Sequence, residues 1–379
     1  ELLFRKQVDM LGDKTRAYYK DKAVMITGGG GSIGSELARQ IAKMQPKKLI
    51  LLDVYENGVY DVQQELKIQY DKSLDLSVEI LSVTNKEALE EVFKANEINI
   101  ILHAAAHKHV PLMEHNAAEA VENNVFGTKN VVELDEKYGV ERFIMVSTDK
   151  AVNPTNVMGA TKRLCEMIVF SHSLNGKTVF TATRFGNVLG SAGSVIPLFR
   201  RQIANGGPVT ITDKRIIRYF MTIPEASQLV LTSGAFANNG ELFVLDMGKP
   251  VKILTLAENL IRLSGFTPYV DISIQEIGLR PGEKLYEELL IKTEELEKTE
   301  NDLIFVERDE KITEKELEEK LEILSEAVAT RNSHEIRVAL RKIIPTYRKP
   351  VDVNSEAQQM IDMQTSDGEA ASEELSEDQ

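Results

Sequence analysis

Residues 25–37 read MITGGGGSIGSEL: an apolar run, four consecutive glycines, and the start of an amphipathic stretch. The run predicts a strand and the stretch a helix, so the glycines form the turn between them. Gly29, Gly31 and Gly34 fit G-x-G-x-x-G, while Gly28, Gly31 and Gly34 fit the G-x-x-G-x-x-G variant. Positions without side chains let the backbone turn tightly and approach a pyrophosphate, which then meets the free N–H groups of a helix start. Asp53 ends the next predicted strand, 19 residues after Gly34. A carboxylate there accepts hydrogen bonds from an adenosine ribose. The following VYEN offers no Arg or Lys for a 2′-phosphate, so NAD is favoured over NADP. Ser82 stands where such sheets often carry an aspartate for the adenine amine.

Outward from this turn the pattern repeats. KAVMITG, KKLILLDV, LSVEILSV, INIILHAAA, RFIMVST and VFTATRFG are predicted strands, separated by stretches with apolar spacing of three to four. Such alternation implies α/β architecture, a doubly wound parallel sheet with right-handed crossovers. After residue 187 the rhythm breaks into Gly- and Ser-rich segments, which predict a smaller C-terminal lobe over the carboxyl ends of the sheet. The expected division is an N-terminal arm (1–20), a dinucleotide-binding domain (21–187, with 218–246 returning to it), and a substrate lobe (188–217 and 247–300). Accessory helices (301–350) and an acidic, disordered tail (351–379) complete it.

Composition narrows the class. The net charge is −14, but residues 351–379 carry nine acids and no Lys or Arg, leaving −5 elsewhere. That gives no support to a nucleic-acid or membrane-surface role. The single cysteine, Cys165, excludes a disulfide framework and is expected to be a buried structural thiol. No apolar run reaches the roughly 18–20 residues of a membrane span. Beginning at Glu1 without methionine, the chain is expected to be a piece of something longer.

STDKAVNPTNVMGATKR, residues 147–163, is the candidate catalytic stretch. RFIMV delivers Ser147, Thr148, Asp149 and Lys150 at its carboxyl end, where a cofactor would lie. Lys162 falls on the following helix, where its ammonium can bind the nicotinamide ribose and lower neighbouring pKa values. Ser, Thr and Asp at strand ends also cap loops, but a Thr-Asp-Lys run facing a nicotinamide is a costly way to do so.

With these residues the chain resembles the extended short-chain dehydrogenase/reductases, and within them the nucleotide-sugar 4,6-dehydratases of polysaccharide and protein-glycan biosynthesis. The resemblance rests on TGGGGSIGSELARQI, HAAAHKHVPLMEHN, NNVFGTKNV, STDKAVNPTNVMGATKR, RFGNVLGSAGSVIPLF, RYFMTIPEA, FVLDMG and GLRPGEKLYEELL, and covers roughly residues 1–292. It is strongest with the long, membrane-attached branch, in which methionine replaces the family tyrosine, as Met158 does here. ELLFRKQVDM (1–10) resembles the junction after the membrane region. The resemblance therefore implies an excised soluble domain of a protein at the cytoplasmic side of the cell membrane.

It further implies a Rossmann-like fold and redox-neutral dehydration of a UDP-N-acetylhexosamine, UDP-N-acetylglucosamine foremost. NAD takes hydride from C4, the 4-ketone acidifies the C5 proton, water leaves from C6, and hydride returns to C6. Lys150 is the implied base at C5 and must be neutral then, which Lys162 and burial would favour. Asp149 is the acid for the departing hydroxyl and Thr148 the relay for the 4-hydroxyl proton, with a water or Lys150 as the alternative acceptor and Met158 in the place of the tyrosine. Implied cofactor contacts are Gly28, Gly31, Ser32, Ile33, Gly34, Asp53, Ala104, Ala105, Ala106, Asn123, Ser147, Lys162 and Phe185.

On the substrate side, Arg218 and Arg280 match positions that clamp a diphosphate, since a guanidinium fork suits phosphate oxygens. Glu283 would receive the uridine ribose, and Asn187, Ser194 and Val195 would line sugar and uracil. His103, His107, His109 and His115 crowd into 13 residues, which tempts a zinc reading. Without H-E-x-x-H or a cysteine pair, no metal is expected; Lys108 and His109 are expected to face the sugar, His103 to be core. Enzymes of this kind pair through helices at about 114–138 and 157–175, which implies a homodimer or larger. Two other functions remain open: a UDP-N-acetylhexosamine 4-epimerase, and a non-catalytic NAD- or nucleotide-sugar-binding regulator, which Met158 suggests.

Overall fold

A computed structural model describes residues 10–174, 177–288, 296–307 and 312–359. Strands β1 (Ala23–Thr27), β2 (Lys48–Asp53), β3 (Leu76–Ile80), β4 (Ile100–His103), β5 (Arg142–Thr148) and β6 (Val179–Phe185) fall where the apolar runs predict. All five residues of β1 are buried, because helices cover both faces of the sheet. The order β3-β2-β1-β4-β5-β6 is parallel throughout. Strand order reverses between β1 and β4, and that crevice is where such sheets bind ligands.

Beyond β6 lie β7 (Asn187–Val188), β8 (Val209–Ile211), β9 (Ile217–Arg218), β10 (Phe220–Met221), β11 (Glu241–Leu245), β12 (Val251–Lys252) and β13 (Ile274–Glu276). The chain continues into β14 (Leu296–Lys298) and β15 (Ile304–Glu307). Strand β11 returns to the sheet beside β6, while β8 and β13 pair in the lobe. The lobe has its own core, including Phe199, Ile211, Leu256, Leu260 and Leu285.

Three features differ from the sequence-based expectations. Residues 304–307, expected within accessory helices, form β15, antiparallel to β11. Ile304 closes the apolar edge there, and Glu307 finds Arg184. Helices Glu314–Ala329 and Ser333–Ile343 do follow, but they bury Leu321, Leu324, Ile336 and Leu340 in one cluster with Val121, Leu164 and Ile168. They thus cover much of the helix pair expected to join two chains. Residues 351–359, expected to begin a disordered tail, are helical. Asn354 fastens this segment by accepting from Leu285 N at 2.9 Å and donating to Glu283 O at 3.0 Å. Residues 360–379 lie outside the described residues.

Candidate active site

The glycine turn dictates the first part of the site. Gly28 has φ +71°, and a Cβ there would lie 2.7 Å from Ala104 C, so β1 and β4 close only around a glycine. A Cβ at Gly34 would sit 2.0 Å from Gly28 O. Helix Ser32–Lys43 starts at this turn with Gly31 as its N-cap, leaving its first N–H groups without intrahelical partners. Asp53 accepts from Gly30 N and Tyr55 N, both at 2.9 Å, so its carboxylate also holds the turn. Across the opening, Ala192 N donates to Ser32 Oγ at 3.1 Å.

A cavity of about 680 Å³ runs from this turn to the carboxyl end of β5. Of the expected residues, Gly28, Gly31, Ser32, Ile33, Gly34, Ala104, Ala106, Lys108, His109, Ser147, Thr148, Lys150, Met158, Lys162, Phe185, Asn187 and Ser194 line it. Asp53, Ala105 and Asn123 line an adjoining space of about 210 Å³. His103 is core, held between Thr27 (2.7 Å) and Thr128 (2.9 Å); burial first, then the Lys162 charge, depress its pKa to about 3.

The catalytic candidates touch one another. Thr148 Oγ1 donates to Asp149 Oδ1 at 2.8 Å, and Lys150 Nζ donates to the same oxygen at 2.9 Å. Thr148 also accepts weakly from Lys150 N at 3.4 Å, so it caps the turn and faces the cavity at once. Asp149 is fully buried, and its Oδ2 has no partner among the described residues. Lys150 must be neutral when it removes the C5 proton, which Lys162 and burial were expected to favour; its surroundings push the other way. Burial favours the free amine most strongly, but the carboxylates of Asp149 and Glu287 together outweigh it and raise the Lys150 pKa. Lys108 moves the other way: burial, then the charge of Lys150, lowers its pKa.

Loop 280–287 carries the remaining candidates. Thr155 Oγ1 and Asn156 Nδ2 donate to Gly282 O at 2.9 and 3.2 Å, and Lys284 Nζ donates to Val152 O at 3.0 Å. These bonds dock the loop against the catalytic stretch. Arg218, expected to clamp a diphosphate, is buried and spends its guanidinium on the carbonyls of Ile217, Lys284 and Leu285 (2.8, 2.7 and 3.0 Å). Such carbonyls must find donors once buried, and the arginine therefore holds the loop rather than the cavity wall. Glu283 closes its own turn, accepting from Arg280 N and Thr212 Oγ1. Arg280 borders a separate cleft with Arg341 and Lys349, and Val195 opens helix Val195–Ala204 outside the main cavity.

Two residues of the site were missed in the sequence. Asn124 sits on a wide turn over Val121–Phe126 and donates to His107 O (3.1 Å) and Thr161 Oγ1 (2.9 Å), bracing the loop after β4. Glu287 stands 3.8 Å from Lys150 Nζ and 3.9 Å from Arg218. No local signal marks either; GLRPGEKLYEELL holds other acids that face elsewhere.

With this geometry in place, comparison with known proteins is informative. Residues 24–309 match the family model described as "Polysaccharide biosynthesis protein". The chain belongs to this family. Capsular polysaccharide biosynthesis protein CapD of Staphylococcus aureus is 58% identical over 275 residues, 72% of this chain and 46% of that protein. A UDP-N-acetylglucosamine 4,6-dehydratase (inverting) of Campylobacter jejuni is 33% identical over 279 residues, 71% of this chain and 77% of that one. Rickettsial proteins named UDP-glucose 4-epimerase match to a similar degree. Among solved structures, Pen from Bacillus thuringiensis is 33% identical with a TM-score of 0.72, covering 78% of this chain and 92% of that one. The chain spans about half the length of the CapD and EpsC proteins it matches. Family and fold are thus those of nucleotide-sugar dehydratases and epimerases.

Proposed function

We propose that this chain is the catalytic domain of an NAD-dependent UDP-N-acetylglucosamine 4,6-dehydratase. The observation that carries the reading is the Thr148–Asp149–Lys150 contact on the wall of the cavity, beside a Met158 that cannot carry a proton. Eliminating water across C5 and C6 needs an acid and a base beyond the C4 chemistry, and this trio would supply both.

The residues present suit a dinucleotide. The turn at Gly28 and Gly34 leaves no room for side chains, the helix start offers N–H groups, and Asp53 stands beside the smaller space. NAD there would supply the hydride acceptor for C4 and the donor for C6. Lys162, on the cavity wall, would hold the nicotinamide ribose. Thr148 takes the proton of the 4-hydroxyl and passes its own to Asp149. Asp149 gives that proton to the departing 6-hydroxyl. Lys150 removes the proton at C5 and restores it afterwards. Lys108, His109, Asn187 and Ser194 orient the sugar, and the Ser194 Oγ atom, buried and without a hydrogen-bond partner among the described residues, supports a polar ligand there. Arg280 and Glu283 would reach the nucleotide only if their turn reorients.

The test is incubation with UDP-N-acetylglucosamine in D₂O, followed by NMR of the sugar. A 4-keto-6-deoxy product carrying deuterium at C5 is expected; unchanged sugar would overturn the reading. The competing 4-epimerase reading has the epimerase relatives behind it. It leaves Asp149 and Lys150 without work, and would give only a C4 epimer.

Residues 188–217 and 247–300 are assigned to substrate binding on the same grounds, with 289–295 outside the described residues. The whole protein is read as lying at the cytoplasmic side of a membrane, a reading supported by the resemblance and by a 45% identical relative named an uncharacterized membrane protein of Methanocaldococcus jannaschii. Among the described residues no helix is long and apolar enough to cross a membrane. A homo-oligomer would have to meet through surfaces other than those under helices Glu314–Ala329 and Ser333–Ile343.

A further inference from the structure

Resting on the dehydratase reading, we propose that Glu287 is the proton store of the site: it receives the proton that Lys150 sheds before the C5 step and returns it afterwards. Three observations carry this. Glu287 Oε1 lies 3.8 Å from Lys150 Nζ, a gap that rotation of the lysine chain closes. The Glu287 side chain is only 5% exposed, so a proton placed on it is shielded from water. Its Oε2 is buried without a hydrogen-bond partner among the described residues, leaving a free position for that proton.

The proton count requires a second carboxylate. Asp149 is closer to Lys150, but it is also the acceptor of Thr148 and so takes the proton that leaves the 4-hydroxyl. One carboxylate cannot hold that proton and the lysine's as well. With Glu287 the steps close. The 4-hydroxyl proton moves through Thr148 to Asp149, and the Lys150 proton moves to Glu287. Neutral Lys150 then removes the C5 proton while Asp149 protonates the 6-hydroxyl; the C6–O bond breaks, water leaves, and C5 and C6 are joined by a double bond. As the hydride taken from C4 arrives at C6, Lys150 returns its proton to C5. Glu287 then recharges Lys150. The charged groups acting on this pair are Asp149 and Arg218, with Lys108 near enough to feel Lys150. Glu287 acts through Lys150 and not on the sugar, which makes it a positioning residue.

The experiment follows C5 deuterium incorporation from D₂O into the product of UDP-N-acetylglucosamine across neutral to alkaline pH, in the wild type and in Glu287→Gln. With an internal store the wild-type rate is nearly level through neutrality. In Glu287→Gln, Lys150 must lose its proton to water, so the rate rises about tenfold per pH unit below the lysine pKa. Single-turnover reduction of NAD, which reports C4 oxidation alone, stays within about threefold of the wild type. A Glu287→Gln profile of wild-type shape would overturn the proposal and leave the dehydratase standing. A wild-type profile that itself climbs tenfold per unit would overturn it too, and this arm decides if Glu287→Gln fails to fold. If the wild type makes no keto sugar at all, the proposed function falls first.

Discussion

Arg184 and Glu166 face each other in full burial, Nε and NH2 each donating to one carboxylate oxygen at 2.7 Å. Glu166 also accepts from Ser147 Oγ at 2.6 Å, and Arg184 reaches Glu307 of β15 at 2.7 Å. The outermost hairpin of the sheet is therefore wired to the residue beside Thr148. Removing one partner of such a pair strands a buried charge, at a cost of roughly 3–5 kcal/mol. Arg184→Met is expected to lose that much in urea unfolding, and to slow turnover as Ser147 shifts.

The same pair sets an acid limit. Burial alone would push the Glu166 carboxyl up, but Arg184, Arg163 and Ser147 outweigh it and hold the pKa at about 2. The folded value lies below the unfolded one, so this stabilisation is complete above about pH 4.5 and fades as pH falls toward 2. The stability gap between the wild type and Glu166→Gln, measured by urea at successive pH values, should shrink over that window. A gap unchanged down to about pH 2.5 would refute the assignment.

Met158 contributes shape and not protons. Met158→Leu keeps the volume, so a stability loss under about 1.5 kcal/mol and turnover within a few-fold of the wild type are expected. Thr148→Val removes the relay hydroxyl and should slow C4 oxidation by about 10²-fold or more. Stopped-flow absorbance of the reduced nicotinamide separates the two.

Lys150→Met and Asp149→Asn should interrupt the reaction at different steps. Both are expected to cut turnover by about 10²–10⁴-fold. The lysine variant should still reduce NAD in a single turnover and lose C5 exchange, which NMR in D₂O records directly; the aspartate variant, lacking the acceptor of the 4-hydroxyl proton, should be slow already at NAD reduction.

Gly34→Ala places a methyl against the Gly28 carbonyl and forces helix and turn apart. Loss of NAD binding by calorimetry, together with a lowered melting temperature, is the expected signature.

What the sequence made legible was local. Strands β1, β2 and β4 are contiguous apolar runs buried on both faces, and GGGGSIG sets its own turn, so composition and spacing suffice for them. Thr148, Asp149 and Lys150 are neighbours in the chain, and one strand end delivers all three. Glu287 was invisible because its place depends on a loop docked through Thr155, Asn156 and Lys284, more than 120 residues apart along the chain. Arg218 misled for the opposite reason: its motif was plain, but which acceptors its guanidinium meets is decided by a distant segment. The strand at Ile304–Glu307 is four residues long, too short for periodicity to separate it from the charged helices that follow.

The bond from Ala192 to Ser32 gives the cavity a strap over the helix start where a pyrophosphate would lie. A dinucleotide bound beneath that strap would leave only after the strap opens. In a reaction that returns every hydride it borrows, such a tenant has no reason to leave. The protein should then purify with its nicotinamide already aboard, and its output should be deaf to the oxidised-to-reduced ratio of the surrounding pool.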